Sequence, residues 1–272
     1  TTTDDTDFGS VAVASGTIVK TFTIQNIGSA DLTLGTVSKT GDSDFTITAQ
    51  PGATVAAGSS TTFEVTFDAA TAGARTAQIN IANDDSDENP YNFTIQGTGI
   101  APEINVQGGT PLVTIANGNT GISTTDDTDF GSQLVTTGTV SKTFTIQNTG
   151  NATLNLGSNA VSLSGGQSGD FSVTTQPATT VAAGSTATFT VEFNPSATGT
   201  RSTTVSITND DSDESTYTFA IQGTGIPEIT VDNVSVFENE GPAVFTISLS
   251  HTYTSNIRSE EHTSELQSHH PI

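Results

Sequence analysis

The sequence predicts an all-β protein built from tandem antiparallel immunoglobulin-like β-sandwiches. Three observations lead to this fold class. Apolar and polar residues alternate along short segments, Gly, Asn and Asp residues separate those segments, and the whole pattern occurs twice within the 272 residues. A period of two places every second side chain on one face of a strand, whereas a helix would scatter these apolar positions around its axis.

The internal repeat is visible in the letters themselves. The segments that occur twice are TTDDTDFGS (2–10 and 124–132), KTFTIQN (20–26 and 142–148), NDDSDE (83–88 and 209–214) and IQGTGI (95–100 and 221–226). The first two pairs are offset by 122 residues, and an insertion of four residues near 158–163 raises the offset to 126 for the others. Two copies of one structural unit therefore follow each other along the chain.

The first copy contains six clusters of alternating apolar residues, which we expect to form six or seven short strands. The clusters are Phe22/Ile24, Leu32/Leu34, Phe45/Ile47, Phe63/Val65/Phe67, Ile79/Ile81 and Tyr91/Phe93/Ile95. A further strand, Pro102–Val106, opens the second copy, and a similar segment, Pro227–Val231, follows it. We therefore divide the chain into an N-terminally truncated first repeat (1–100), a second repeat (101–226), the start of a third domain (227–257) and a tail (258–272).

Composition excludes several classes of function. Six Lys and Arg against 29 Asp and Glu give a net charge of −23, which repels nucleic acid and anionic lipid. The absence of Cys excludes disulfides, zinc–thiolate sites and cysteine nucleophiles. The apolar runs have the length of strands, so we expect no membrane insertion.

The order of the motifs, from TDFGS and KTFTIQN through NDDSDE to IQGTG, resembles the choice-of-anchor D repeat of the hydin-like, immunoglobulin-like group. The resemblance covers residues 1–226 in two copies. It implies a modular bacterial protein that is secreted or displayed on the cell surface, with an extracellular protein or carbohydrate as its partner.

The residues after the second repeat form two further segments, each with a resemblance of its own. Residues 227–257 are similar to the first two strands of a Calx-beta domain, and that resemblance implies calcium binding through an early acidic residue, here Glu238. Residues 258–268 resemble the translation of a sequencing-library adapter. We interpret 258–272 as a non-native tail and give no functional weight to its histidines.

Two acidic loops are the candidate ligand sites. Their carboxylates are Asp84, Asp85, Asp87 and Glu88 in the first repeat and Asp210, Asp211, Asp213 and Glu214 in the second. Calcium takes six to eight oxygen ligands, and closely spaced carboxylates can supply several of them. The alternative is a solvated turn in which Asp and Asn side chains bind their own backbone. Arg75 and Arg201, each two residues after a turn Gly, are expected to form structural ion pairs or contacts with backbone carbonyls.

We find no sequence basis for catalysis, because the two repeats contain no His or Cys and their paired carboxylates lie in predicted turns. The sequence therefore predicts a non-enzymatic stalk or adhesion module. Two alternatives stay open: an accessory region of an exported multidomain enzyme, and a calcium-binding surface repeat.

Overall fold

A computed structural model describes residues 4–235, 242 and 244–254. Within these residues the regular structure consists of β-strands and one turn of 3₁₀ helix, Ser168–Asp170. The strands are β1 (Asp7–Ala12), β2 (Ile18–Gln25), β3 (Leu32–Gly41), β4 (Phe45–Ala49), β5 (Thr54–Val55), β6 (Ser60–Phe67), β7 (Gly73–Asn83), β8 (Tyr91–Ile100), β9 (Ile104–Gly108), β10 (Val113–Thr114), β11 (Asp129–Leu134), β12 (Val140–Asn148), β13 (Leu154–Asn155), β14 (Val161–Ser164), β15 (Phe171–Thr175), β16 (Thr180–Val181), β17 (Thr186–Phe193), β18 (Gly199–Thr208), β19 (Thr216–Ile226), β20 (Ile229–Val231) and β21 (Ile247–Leu249). The predicted fold class is confirmed.

No helix with the length and apolar character needed to cross a membrane occurs in the part of the chain that the structure describes.

The first repeat is a sandwich of two sheets. One sheet has the strand order β1-β8-β7-β3-β5 and the other β2-β6-β4. Their inward-facing residues form one apolar core, because each strand turns alternate side chains toward the opposite sheet. The residues buried most deeply in that core are Phe45, Phe63, Val65, Phe67, Ile79 and Ile95.

The second repeat has the same two layers with one addition. Its first sheet has the order β11-β19-β18-β14, and its second has the order β10-β9-β12-β17-β15. Strands β9 and β10 therefore extend the second sheet beyond β12, at the edge that β2 leaves open in the first repeat. Phe144, Phe189, Phe193 and Phe219 form the centre of this core.

The DFGS motif builds a parallel strand that the alternation did not predict. In the first repeat, Asp7 Oδ1 accepts a hydrogen bond of 2.8 Å from the backbone N of Gly9. Gly9 has φ of 72°, a conformation that glycine adopts without strain. The irregular register it creates lets β1 run parallel to β8 while Phe8 enters the core. Asp129 and Gly131 repeat this arrangement in the second copy.

The GTG motif at the end of each repeat is explained by close packing. A Cβ atom on Gly97 would lie 2.5 Å from the ring of Phe67, and one on Gly223 would lie 2.4 Å from the ring of Phe193. The glycines thus let the last long strand of each repeat lie against an aromatic ring of the opposite sheet.

The third start, Pro227–Val231, contributes β20, which pairs with β21. The Calx-beta assignment of 227–257 is not tested by this hairpin and stays a prediction. Residue 238 and residues 258–272 lie outside the described residues, so the calcium role of Glu238 and the adapter interpretation also stay predictions.

Candidate functional site

The acidic loop of the second repeat is first of all a structured turn. Asn209 Nδ2 donates to the Glu214 carbonyl at 2.9 Å, and Asn209 Oδ1 accepts from the backbone N of Asp211 at 2.8 Å. Asp210 Oδ1 accepts from the backbone N of Asn155 at 2.7 Å. Asn and Asp are favoured in such loops because their side chains satisfy nearby backbone groups. The turn interpretation therefore accounts for Asp210.

Asp211 has a different role, because it joins this loop to β9. Its side chain is 1% exposed, and Oδ2 accepts a hydrogen bond of 2.9 Å from the backbone N of Ile104. Ile104 is the first residue of β9, and its N–H would otherwise be buried without a partner.

Three carboxylates converge beside this contact. Oxygens of Glu103, Asp211 and Glu214 all lie within 4.8 Å of one another. Glu103 immediately precedes β9 and was not among the candidate residues predicted from the sequence. Burial, followed by the charge of Asp211, raises the pKa of both Glu103 and Glu214. Burial is likewise the main cause of the raised pKa of Asp211.

This cluster is the best-formed group of potential cation ligands among the described residues. A divalent cation would relieve the mutual repulsion of the carboxylates. Three carboxylates supply fewer oxygens than the six to eight that calcium takes, and Asp211 Oδ2 already accepts a backbone hydrogen bond. Asp213 lies close enough for its charge to raise the pKa of Glu103 and Glu214. Calcium binding at this loop stays a prediction.

The acidic loop of the first repeat is more open. Asp84 Oδ1 accepts from the backbone N of Thr33 at 2.8 Å, which lowers the pKa of Asp84. Asp85, Asp87 and Glu88 are exposed. The pKa of Asp87 is raised by its interaction with Asp85. The structure thus brings the first-repeat residues into one loop, and among the residues it describes no counterpart of Glu103 lies beside them.

Each repeat contains an equivalent ion pair, at the opposite end of its long strand β7 or β18 from the acidic loop. Arg75 Nε lies 2.9 Å from Asp44 Oδ2, and Arg201 Nε forms the equivalent pair with Asp170 Oδ2. Burial alone would raise the pKa of Asp170, but hydrogen bonds from Ser196 and Arg201 outweigh burial and lower it. The predicted structural role of both arginines is confirmed.

A groove of about 480 Å³ lies in the surface of the first repeat. It follows the open edge of β2 and includes Phe22, Ile24, Ile81, Phe93 and the loop residues Asp85 and Glu88. Its apolar lining and its position between the two sheets mean that the core of this repeat reaches the surface here.

The second repeat shows what closes such a groove. Phe22 and Ile24 are partly exposed, whereas their counterparts Phe144 and Ile146 are 0% exposed. Tyr91 is 50% exposed, whereas its counterpart Tyr217 is 3% exposed and donates to the backbone carbonyl of Ile115. The difference arises because β9, β10 and the segment around Ile115 cover this part of the second repeat.

The fold and these sites define a tandem array of immunoglobulin-like sandwiches. Residues 2–98 and 122–224 match the family model described as HYDIN/CFA65/VesB-like, Ig-like domain. The chain belongs to this family, which confirms the hydin-like part of the predicted resemblance. The family indicates a non-catalytic structural module for these repeats. The choice-of-anchor D assignment stays a prediction.

Several solved structures are similar to the chain. Extracellular cadherin domains 1–5 of protocadherin gamma B2 are 11% identical, with 90% of this chain and 45% of that chain covered and a TM-score of 0.43. A protein of unknown function from Porphyromonas gingivalis W83 is 11% identical, with 78% and 93% covered and a TM-score of 0.31. The VesB protease of Vibrio cholerae is 19% identical, with 34% and 30% covered and a TM-score of 0.24. No curated protein matches the chain.

The chain thus spans less than half of the protocadherin and VesB chains that it matches. With TM-scores below 0.5, these similarities add nothing to the family assignment.

Proposed function

We propose that this chain is a spacer region of an exported bacterial protein, in which the immunoglobulin-like repeats set the distance and orientation of other parts. The single observation that carries the proposal is the junction between the two repeats. A spacer transmits position only when its modules are held together, since a short linker without contacts leaves neighbouring domains free to reorient.

One asparagine connects the repeats. Asn151 Nδ2 donates to the carbonyl of Gly99 in β8 at 3.0 Å, and Asn151 Oδ1 accepts from the backbone N of Ala101 at 2.9 Å. The backbone N of Asn151 and that of Ala152 both donate to the Ala101 carbonyl, at 3.0 and 3.1 Å. Four hydrogen bonds therefore fix the end of β8 and Ala101, the residue that follows it, against the second sandwich.

The backbone beside Asn151 is also packed tightly. A Cβ atom on Gly150 would lie 2.4 Å from the Ala101 carbonyl oxygen. A larger residue there would therefore displace the linker, residues 101–103, which joins β8 to β9. The linker continues directly into β9, whose pairing with β12 makes it part of the second sandwich. The junction thus has no free segment between the last strand of one repeat and the first strand of the next.

The secreted or cell-surface location, the extracellular protein or carbohydrate partner and the adhesive role belong to this proposal. The acidic surface, with a net charge of −23, suits a module that stays apart from other polyanions. The second candidate is an accessory region of an exported enzyme. In that case the repeats have the same spacer role, but the full-length protein also contains a catalytic domain. The full reading frame distinguishes the two, because a catalytic domain in it would favour the enzyme.

Distance measurements between spin labels test the spacer directly. Thr46→Cys and Ser172→Cys place labels at equivalent exposed positions of β4 and β15, and the chain has no other Cys. Pulsed electron paramagnetic resonance should give a narrow distance distribution, and Asn151→Ala should broaden it. Asn92→Ala, on an exposed position of β8, is the matched control. A broad distribution in the doubly labelled chain without further change would refute a fixed spacer.

A further inference from the structure

The segment after β10 covers one edge of the second sandwich. This cover segment, residues 115–119, runs beside the beginning of β19, and Asn119 forms a parallel bridge with that strand. Ile115 is 1% exposed, and its carbonyl accepts a hydrogen bond from the Tyr217 hydroxyl. At the other end, the Asn119 carbonyl accepts from the backbone N of Ala220 at 2.8 Å. Hydrogen bonds at both ends therefore hold the cover segment on β19.

The middle of the cover segment is the pair Asn117–Gly118, and one residue of β19 holds both members. The backbone N of Thr218 donates to Asn117 Oδ1 at 2.9 Å, and the backbone N of Gly118 donates to the Thr218 carbonyl at 2.7 Å. The Asn117 side chain thus takes the place of a backbone acceptor in this pairing. Gly118 has φ of 73°, a conformation that glycine adopts without strain. Both residues are exposed, so water reaches them.

An asparagine that is followed by a glycine can modify itself. The backbone nitrogen of the glycine attacks the side-chain carbonyl carbon, the bond from that carbon to the amide nitrogen breaks, and ammonia leaves with the backbone proton. Water then opens the resulting succinimide ring on either side, which gives aspartate or isoaspartate. Glycine favours the first step because it has no Cβ atom to obstruct the attack. Asn117–Gly118 is the one Asn-Gly pair among the 272 residues.

The hydrogen bonds of the folded protein oppose this reaction. The attacking atom, the backbone N of Gly118, donates its proton to the Thr218 carbonyl. The carbon under attack belongs to the Asn117 carboxamide, whose oxygen accepts from the Thr218 N–H. Cyclisation requires the carboxamide to turn and the N–H to lose its proton, so both hydrogen bonds must break first. The reaction therefore needs the cover segment to leave β19, a local opening that costs less than global unfolding.

The products no longer fit the position that Asn117 occupies. A hydrogen bond from Asn117 opposes the burial and the neighbouring charges that raise the pKa of Glu214. A carboxylate in place of the amide loses this donor and adds a negative charge beside Glu214, whose neighbours are Glu103 and Asp211. Isoaspartate also lengthens the main chain, which displaces the pairing with Thr218. Both products therefore weaken the contact between the cover segment and the second sandwich.

We propose that Asn117–Gly118 is a self-modification site that makes the opening of the cover segment permanent. The amide persists while the segment lies on β19. Each opening allows cyclisation, and hydrolysis by water leaves an acidic residue that this edge of the sandwich no longer accepts. Tyr217, which is 3% exposed, then becomes accessible to solvent. The modification thus records for how long this edge of the second repeat has been open.

Peptide mapping by mass spectrometry tests the proposal on the whole chain. The chain is incubated at pH 8 below its melting temperature, and conversion of the Asn117 amide to a carboxyl is followed with time. A synthetic peptide of residues 113–121 in the same buffer gives the rate of the unprotected pair. We expect conversion in the chain to be about tenfold slower or more, because the folded protein is open for only a small fraction of the time. Equal rates in the chain and the peptide would overturn the proposal.

A variant that loosens the cover segment should speed the reaction in the folded chain. Tyr217→Phe removes the hydroxyl that donates to the Ile115 carbonyl. Loss of this one hydrogen bond should increase the conversion rate of Asn117 about two- to tenfold. Tyr91→Phe changes the counterpart in the first repeat and should leave the rate unchanged. Circular dichroism establishes that both variants are folded at the incubation temperature. A Tyr217→Phe chain that converts no faster than the parent would rule out control by the cover segment.

The permanence of the opening has its own test. Ion exchange separates the modified chain from the parent, because each conversion adds a negative charge. Amide hydrogen exchange in residues 115–119 should be faster in the modified chain, and its melting temperature should be lower by about 4 °C or more. Asn117→Asp should reproduce part of both changes, since it adds the charge without lengthening the main chain. Asn92→Asp, which adds a charge to the first repeat, is the matched control. A modified chain with the exchange and melting temperature of the parent would overturn the proposal.

Discussion

Asp211 Oδ2 accepts a hydrogen bond of 2.9 Å from the backbone N of Ile104, across 107 residues of sequence. This contact closes the second sandwich at the point where β9 begins, and its counterpart Asp85 has no such strand to bind among the described residues. The two repeats share most of their sequence motifs, so this difference isolates what β9 contributes.

Removal of the Asp211 carboxylate should destabilise the second repeat. Asp211→Ala leaves the buried Ile104 N–H without an acceptor, which costs about 1–3 kcal/mol in the free energy of unfolding. Asp211→Asn keeps an acceptor and removes a negative charge from the cluster with Glu103 and Glu214, so we expect it to match or exceed the parent in stability. Urea unfolding followed by far-ultraviolet circular dichroism measures both changes in the free energy of unfolding. Asp85→Ala is the matched control and should have a smaller effect; an equal loss would contradict the assigned role of Asp211.

The stability of the second repeat should depend on the charge of Glu103. Its raised pKa means that the folded state binds the proton more tightly than the unfolded state, whose pKa is near 4.5. The charged carboxylate therefore costs stability at neutral pH, and that cost disappears as the pH falls through the raised pKa to below 4.5. Glu103→Gln should stabilise the protein at pH 7 by about 0.2–1 kcal/mol. Thermal melts from pH 7 to pH 4 should show the advantage shrinking to zero.

Glu192→Gln serves as the control for this pH series. Glu192 lies opposite Ser141 near the start of β12, whereas Ile104 lies opposite Asn148 at its end. An advantage of Glu103→Gln that persists at pH 4, or one that Glu192→Gln shares, would rule out repulsion within the cluster as its cause.

Calcium should stabilise the second repeat if its acidic loop binds the ion. A ligand that binds only the folded state raises the melting temperature as its concentration passes the dissociation constant. We expect millimolar calcium to raise the melting temperature, and Glu214→Gln or Glu103→Gln to abolish the rise. Asp87→Asn, in the loop of the first repeat, should leave it intact. A melting temperature independent of calcium would leave the turn as the role of both loops.

Gly223 should tolerate no side chain. A Cβ atom at this position would lie 2.4 Å from the Phe193 ring, which is 0% exposed and cannot move away without disturbing the core. Gly223→Ala should therefore cost about 1–3 kcal/mol, the range for overpacked cores. Gly169→Ala is the control, since a Cβ there meets nothing within 4 Å. Equal stabilities of the two variants in chemical denaturation would contradict the packing explanation for the GTG motif.

Much of the fold follows from local patterns. Alternation identified the strands around Phe22, Phe45, Phe63 and Ile79, because a half-buried strand needs one apolar face. Alternation did not predict β1, because Phe8 is followed by Gly9 and Ser10. An irregularity in the strand register, rather than alternation, turns the Phe8 side chain into the core. Parallel pairing between distant segments leaves no mark on a short window of sequence.

The candidate site was less accessible to prediction. Both acidic loops carry the same letters, yet Asp211 is buried and Asp85 is exposed. Tyr91 and Tyr217 likewise occupy equivalent positions with 50% and 3% exposure. The cause in each case is β9, a strand from outside the loop. Glu103 joins the site for the same reason, and the sequence placed it only within the predicted strand Pro102–Val106.

The central claim is that the first repeat is a complete sandwich except for one open strand position. The most direct test adds residues 101–122 in front of Thr1, so that a copy of β9 precedes the first repeat at the spacing found in the second. Differential scanning calorimetry compares this chain with the parent and with a version that carries Asp in place of the copied Ile104 and Val106.

We predict that the lower-melting transition of the parent belongs to the first repeat and rises by about 10 °C or more with the added strand, since burial of two aliphatic side chains is worth roughly 3 kcal/mol. The version with two Asp residues should melt like the parent. A lower transition that stays in place in the extended chain would contradict the claim that the groove is an open strand position.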